Sequence, residues 1–84
     1  MNIKGEFIMN KTKRAELSRI TAELENLKDR IENIMDEEQE SFDNLTEGLQ
    51  ATMRGEQMET AVENLDAAIE SIDEAIEYIE EASI

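Results

Sequence analysis

The C-terminal half of the chain carries a heptad repeat of apolar residues. Large apolar side chains recur there at alternating intervals of four and three residues, which is the spacing of a coiled-coil helix. They are Met58, Val62, Leu65, Ile69, Ile72, Ile76 and Ile79. The stripe is flanked once per heptad by Ala61, Ala68, Ala75 and Ala82. The pattern predicts a helix over residues 53–82, with an apolar face wide enough to contact more than one neighbour.

The N-terminal half repeats this pattern with a shift. Its apolar residues first alternate intervals of three and four, at Leu17, Ile20, Leu24, Leu27, Ile31 and Ile34. The next two positions of that stripe are Glu38 and Ser41, and apolar residues resume one position over, at Met35, Phe42, Leu45 and Leu49. Such a shift is either an inserted step in a coiled coil or a drift around a straight helix. The pattern predicts a helix over residues 11–44.

The segment between these helices, residues 45–52, is predicted to connect an antiparallel hairpin. Thr46 and Thr52 are candidate N-caps, and Asn44, Gly48 and Gly55 are candidate turn residues. The two helices are nearly equal in length, which suits a chain that folds back on itself. Residues 1–10 are expected to be frayed, and residues 11–84 are expected to form a single all-α domain.

A two-helix hairpin of this size leaves part of each apolar stripe in water. The burial it achieves is too small to offset the conformational entropy lost by about 70 ordered residues. We therefore predict that two hairpins pair into a four-helix-bundle homodimer, whose seam contains Leu24, Leu27 and Ile31 together with the stripe of the C-terminal helix. The alternatives are a monomeric hairpin or one completed by a helix of a different protein.

The composition excludes most enzymatic chemistry. The 84 residues include no His, Cys, Trp or Pro. The usual ligands of zinc and haem, the imidazole base and the thiolate nucleophile are therefore missing. We predict no cofactor and no enzymatic activity. Because no apolar run approaches the roughly 18 residues of a membrane span, we expect a cytoplasmic protein with no membrane partner.

The charge is strongly negative and unevenly distributed. Acidic residues outnumber basic ones 22 to 8, for a formal net charge of −14, and Arg54 is the single base after residue 30. Because phosphate binding needs clustered Lys and Arg, no direct contact with nucleic acid is expected. The candidate partner-binding surface consists of Asp36, Glu37, Glu40, Glu56, Glu59, Glu63, Asp66, Glu70, Asp73 and Glu77.

This acidic surface has two interpretations. The acids between residues 56 and 81 place a negative charge about every 4 Å along a helix, whereas duplex DNA carries one about every 1.7 Å. Two such helices side by side therefore approach the density needed to occupy the nucleic-acid groove of a basic protein. The simpler interpretation is that the charge only keeps the protein soluble.

Two pairs of acids have the spacing of a magnesium site. Glu37 with Glu40, and Glu63 with Asp66, resemble the paired acidic motif of the all-helical nucleotide pyrophosphatases. That resemblance implies a magnesium-dependent hydrolase, which is the less favoured alternative. Such spacings arise easily in a chain this acidic, and the neighbouring positions offer neither Lys nor an aromatic residue to hold a substrate. A solvated acidic face explains these residues better.

The stretch from Asp36 to Gln50, DEEQESFDNLTEGLQ, followed by the heptads from Arg54 to Ala82, carries a further resemblance. It is similar to a family of short acidic proteins of bacteriophages and prophages, over about residues 11–82. The resemblance identifies no catalytic residue and implies a mobile-element context, in which small acidic dimers bind and block host proteins. We expect a non-enzymatic protein that blocks a basic host protein, such as a defence nuclease, as an anti-defence inhibitor or DNA mimic. A structural or assembly coiled-coil module is the alternative.

Overall fold

The computed structural model describes residues 9–84, which form two long helices and one short helix. Helix α1 spans Lys11–Asp43, α2 spans Glu47–Gln50 and α3 spans Met53–Ala82, and this part of the chain contains no strand. The helices α1 and α3 pack against each other, so the predicted all-α hairpin is confirmed. The segment predicted to be frayed lies outside the described residues, except for Met9 and Asn10. No helix of residues 9–84 is both long and apolar enough to cross a membrane.

Each helix begins at a residue whose side chain caps it. The side-chain oxygens of Asn10, Thr46 and Thr52 each accept a backbone N–H from three residues further on, at 2.8, 3.4 and 3.4 Å. The first N–H groups of a helix have no partner inside it, and these oxygens supply one. The predicted caps Thr46 and Thr52 are therefore correct, and they fix where α2 and α3 start.

The connection is folded onto the end of α1 by Gln50. Its side-chain nitrogen Nε2 donates hydrogen bonds to the backbone carbonyls of Phe42 and Leu45, both at 3.2 Å. The carbonyl of Phe42 already accepts the backbone N–H of Leu45 at 3.0 Å, so the Gln50 amide is a second donor to Phe42 and also serves the carbonyl of Leu45, beyond the end of α1. The connection is thus a packed turn of helix.

The two glycines of the connection were predicted to be turn residues, and this is wrong because both lie within helices. Gly48 is in α2 and Gly55 is in the first turn of α3. Gly55 is buried, and a Cβ atom added to it would lie 2.7 Å from the carbonyl carbon of Gln50. Only a residue without a Cβ fits here, because the backbone at the end of α2 touches the backbone of α3.

On α3, the seam with α1 follows the heptad stripe. The seven large apolar residues from Met58 to Ile79 are all half-buried or buried. Ile69 and Ile76, at 7% and 5% exposed, are the two apolar side chains of the described chain that count as buried. The hairpin alone therefore has a core that is a single line of residues.

On α1, the seam differs from the predicted stripe. Its half-buried residues include two rows with a seven-residue repeat, one at Leu17, Leu24, Ile31, Glu38 and Leu45, the other at Thr21, Lys28, Met35 and Phe42. Leu27 and Ile34 are 44% and 56% exposed, so within one hairpin the second row, and not these two residues of the predicted stripe, completes the contact with α3. That Leu27 lies in a seam between two hairpins stays a prediction. The second row contains the apolar residues Met35 and Phe42. A helix of uniform winding continues the same row seven residues earlier, at Lys28.

Candidate binding surface

All ten residues of the predicted acidic surface are exposed. Those on α3 recur at intervals of three and four, the same period as the seam, and therefore form a stripe parallel to it. The stripe consists of Glu56, Glu59, Glu63, Asp66, Glu70, Asp73 and Glu77. The same heptad repeat that builds the hairpin thus also aligns its acids.

One lysine joins this stripe to α1. The ammonium nitrogen Nζ of Lys28 lies 2.7 Å from Oδ1 of Asp73 and 3.2 Å from Oε2 of Glu25, and its side chain is 16% exposed. The hydrogen bond with Asp73, and then the one with Glu25, raises the pKa of Lys28 above its ordinary value. Lys28 was not among the predicted site residues, although it lies seven residues before Met35 in the row that continues to Phe42.

The contacts of Lys28 show that the hairpin has two chemically different sides. Glu25 and Asp73 lie on the same side, because both reach the same ammonium group. Leu27 and Ala75 each come two residues later, which is about 200° around a helix, and so lie on the opposite side. The heptad repeats this arrangement along α3 and, on α1, over residues 20–34.

The two sides differ in their residues. The acidic side comprises Glu25 and Glu32 of α1 with the acidic stripe of α3. The apolar side comprises Ile20, Leu27 and Ile34 of α1 with Ala61, Ala68, Ala75 and Ala82 of α3. A groove of about 340 Å³ lies along the apolar side, lined by Leu24, Leu27, Arg30, Ile31, Ile34 and Ile72.

Most of the acidic surface has no cationic neighbour. The ion pairs within the described residues are Arg19 with Glu16 and Lys28 with Glu25 and Asp73. Nine of the ten predicted surface acids therefore make no ion pair inside the described chain, and Asp73 is the exception. Their charges are available to a cationic partner.

The paired acids do not gather into a metal site. Glu37 and Glu40 lie on the outer surface of α1, outside both seam rows, while Glu63 and Asp66 belong to the acidic stripe of α3. Among residues 9–84, no three acidic side chains come close enough together to hold a metal ion. The structure thus does not bring together the carboxylates on which the pyrophosphatase resemblance depends.

Comparison with known proteins gives no relative for this chain. No protein family, curated protein or solved structure matches it.

Proposed function

We propose that this chain is a non-enzymatic binding protein whose acidic side occupies a basic surface of a host protein. The separation of acidic and apolar residues onto opposite sides of one hairpin supports this proposal. Solubility requires charge, but it does not require an unbroken stripe of acids along one side of the seam. The resemblance to short bacteriophage proteins supplies the context, in which the host protein is an antiviral defence nuclease in the cytoplasm.

The partner surface that suits the acidic side is a groove lined by Lys and Arg. The stripe of α3 is extended sideways by Glu25 and Glu32 of α1, so negative charge is spread over both helices of the hairpin. Such a surface competes with a nucleic-acid backbone for a basic groove, and its field speeds the encounter with a cationic partner. DNA mimicry is the mechanism that we propose.

The working form in this proposal is a homodimer in which two hairpins make a four-helix bundle. The support is the shallow core of one hairpin, where Ile69 and Ile76 are the buried apolar side chains of the described residues. A second hairpin supplies the missing burial without any further sequence.

A second candidate function rests on the apolar side. Leu27 and Ile34 are exposed at a groove between two helices, and an apolar groove of this kind can hold an amphipathic helix of another protein. The chain would then be an assembly or chaperone module. The two candidates differ in their response to salt, because only charge-dependent binding weakens steeply as ionic strength rises.

The experiment that tests the proposal compares two doubly substituted proteins. The first, Glu63→Gln with Glu70→Gln, removes two charges from the acidic stripe. The second, Glu74→Gln with Glu81→Gln, removes two exposed charges at the same spacing on α3 but outside the stripe, and is the matched control. Each tagged protein is used to capture partners from a nuclease-treated bacterial lysate, and the captured protein is then purified. Its binding is measured at about 50 and about 500 mM NaCl, where the Debye length is roughly 14 and roughly 4 Å.

We expect a lysine- and arginine-rich partner that the stripe variant binds about tenfold or more weakly than the control does. We also expect its affinity to fall steeply with salt, and DNA to compete for the same surface. Equal binding by both variants, or affinity that does not change with salt, would contradict the acidic-side proposal and favour the assembly module.

A further inference from the structure

The apolar side of the hairpin has no partner within the described chain. Leu27 and Ile34, at 44% and 56% exposed, form a ridge along α1, and the alanines of α3 form a flat row beside it. We propose that a second copy of this chain covers the apolar side, with its α1 lying on the α3 of the first copy. This interface would be that of the homodimer in the proposed function. It rests on the dimer alone and not on the binding of a host protein.

The apolar side is complementary to itself in shape. Lys28 lies level with Asp73 and the helices are antiparallel, so Leu27 lies level with about Ala75, and Ile34 with about Ala68. Three levels therefore pair a large side chain on α1 with a small one on α3, namely Ile20 with Ala82, Leu27 with Ala75 and Ile34 with Ala68. A large residue of one copy can pack on a small residue of the other, as ridges pack into grooves.

Two arrangements of this symmetric interface are possible, and the side chains favour one. A twofold axis parallel to the helices places α1 of each copy on α3 of the other at the same level, so that Leu27 faces Ala75 of the partner subunit. A twofold axis across the helices places α1 on α1, which sets the Leu and Ile ridges against each other and leaves the two alanine rows apart. Close packing is obtained only with the first axis.

The area of the apolar side suits a stable dimer. Helix α3 is about 45 Å long and the hairpin is 16 Å across, which gives a face of roughly 700 Å². A standard protein interface buries about 800 Å² on each partner. One second copy therefore covers the whole face, and a single added helix would cover about half of it.

The charges leave a second copy only this side on which to pack. Each chain carries a formal charge of −14, so contact between two acidic sides would be strongly repulsive. The groove on the apolar side is lined by one charged residue, Arg30. Stacking the apolar sides leaves the two acidic sides on opposite faces of the dimer, where each remains free to bind a partner.

The first test compares two substitutions of exposed apolar residues by lysine. Ile34→Lys changes the apolar side, and Met53→Lys changes a residue that is 74% exposed on the outer surface of α3. Sedimentation equilibrium measures the mass of each full-length protein. We expect the unsubstituted protein and Met53→Lys to have twice the 9.6 kDa of one chain, and Ile34→Lys to dimerise at least about 100-fold more weakly. A monomeric unsubstituted protein, or equal dimerisation by both variants, would overturn the proposal.

The second test identifies the arrangement and does not depend on a loss of dimerisation. Because the chain has no Cys, single cysteines can be introduced in separate chains as Leu27→Cys and Ala75→Cys, with Glu63→Cys on the acidic side as control. After mixing and mild oxidation, we expect a disulfide between position 27 of one copy and position 75 of the other to predominate. Predominant cross-links between two copies of position 27, or cross-links through position 63, would overturn it.

These results can be told apart from failure of the acidic-side proposal. Loss of the 27–75 cross-link while a host protein still binds in a salt-dependent way would refute the interface alone. A cross-linked dimer that binds no basic partner would refute the acidic-side proposal and leave the interface in place.

Discussion

The ammonium group of Lys28 lies 2.7 Å from the carboxylate of Asp73, and this is the ion pair that joins the two long helices in the described part of the chain. Lys28 stands at a seam position where an apolar residue would normally be expected. Its stem can pack in the seam while its charged end reaches the edge. The pair holds α1 and α3 in one register, and it places the acidic stripe beside Glu25.

The first prediction compares Asp73→Asn with Asp66→Asn. The two aspartates occupy equivalent positions one heptad apart, but only Asp73 makes an ion pair. We expect Asp73→Asn to lower the thermal midpoint by a few degrees in low salt, and Asp66→Asn to leave it unchanged or raise it, because it removes repulsion among acids. Circular dichroism melts measure both. The difference between the variants should shrink in concentrated NaCl, and a difference that persists would contradict an electrostatic origin.

The second prediction concerns the pH dependence of the same pair. The pKa of Lys28 is raised in the folded protein above its ordinary 10.5 by the hydrogen bonds with Asp73 and Glu25. The stability that it contributes is therefore fully present below 10.5 and is lost as the pH rises from there through the raised pKa. Denaturation in urea between neutral and strongly alkaline pH should show the advantage over Asp73→Asn disappearing only at the alkaline end. An advantage that fades near neutral pH would contradict this assignment.

The third prediction concerns Gln50, whose side-chain amide donates to the carbonyls of Phe42 and Leu45. Gln50→Glu preserves the shape but replaces the donor with a carboxylate that can only accept. We expect the free energy of unfolding to fall by about 1 to 3 kcal/mol, because both carbonyls lose the amide donor and face a carboxylate instead, although Phe42 keeps the backbone N–H of Leu45. The exposed Gln57→Glu adds the same charge and is the control. Equal losses from both would show that charge alone is responsible.

The fourth prediction concerns the close approach of α2 and α3 at Gly55. A Cβ added there would lie 2.7 Å from the carbonyl carbon of Gln50, whereas a Cβ added at Gly48 meets nothing within 4 Å. We expect Gly55→Ala to destabilise the fold by roughly 1 to 3 kcal/mol, and Gly48→Ala to stabilise it by roughly 0.5 to 1 kcal/mol through helix propensity. Urea denaturation of both proteins measures the contrast. A similar effect of the two substitutions would mean that the helices are not in contact at Gly55.

The sequence was sufficient to predict the hairpin because its periodicity is local. Each heptad from Met58 to Ile79 carries the same information, so the seam of α3 can be read without knowing its partner. The alanines beside it are equally regular, and the acids repeat with the same period. A helix of this kind has only one way to place its apolar stripe against another helix.

The seam of α1 could not be predicted in the same way. The row that contains Leu24 and Ile31 can be completed on one side by Leu27 and Ile34 or on the other by Lys28 and Met35. The first choice is more hydrophobic locally, but the second continues to Phe42 and keeps a single winding along the helix. The division into acidic and apolar sides could not be predicted from the sequence either, because it depends on how α1 and α3 are aligned, and the ion pair between Lys28 and Asp73 fixes that alignment.

The last prediction follows from this seam, in which Glu38 occupies a position between Ile31 and Leu45 in its row. Glu38 is half-buried and, in the described chain, makes no ion pair with Arg54, although both line a cavity of about 290 Å³ with Met58 and Ala61. Glu38→Leu places an apolar side chain where the seam is polar. We expect the free energy of unfolding to rise by about 1 kcal/mol, from burial of apolar surface and from the loss of one negative charge.

The control for Glu38 is its neighbour Glu37, which is exposed on the outer surface of α1. Glu37→Leu removes the same charge without filling the seam, so its effect should stay within about 0.5 kcal/mol. Urea denaturation of the two proteins separates the contribution of packing from that of charge. If both substitutions stabilise the protein equally, relief of charge repulsion is the whole effect and Glu38 does not lie in the seam. If only Glu38→Leu does so, the row through Ile31, Glu38 and Leu45 is the one along which α1 meets α3.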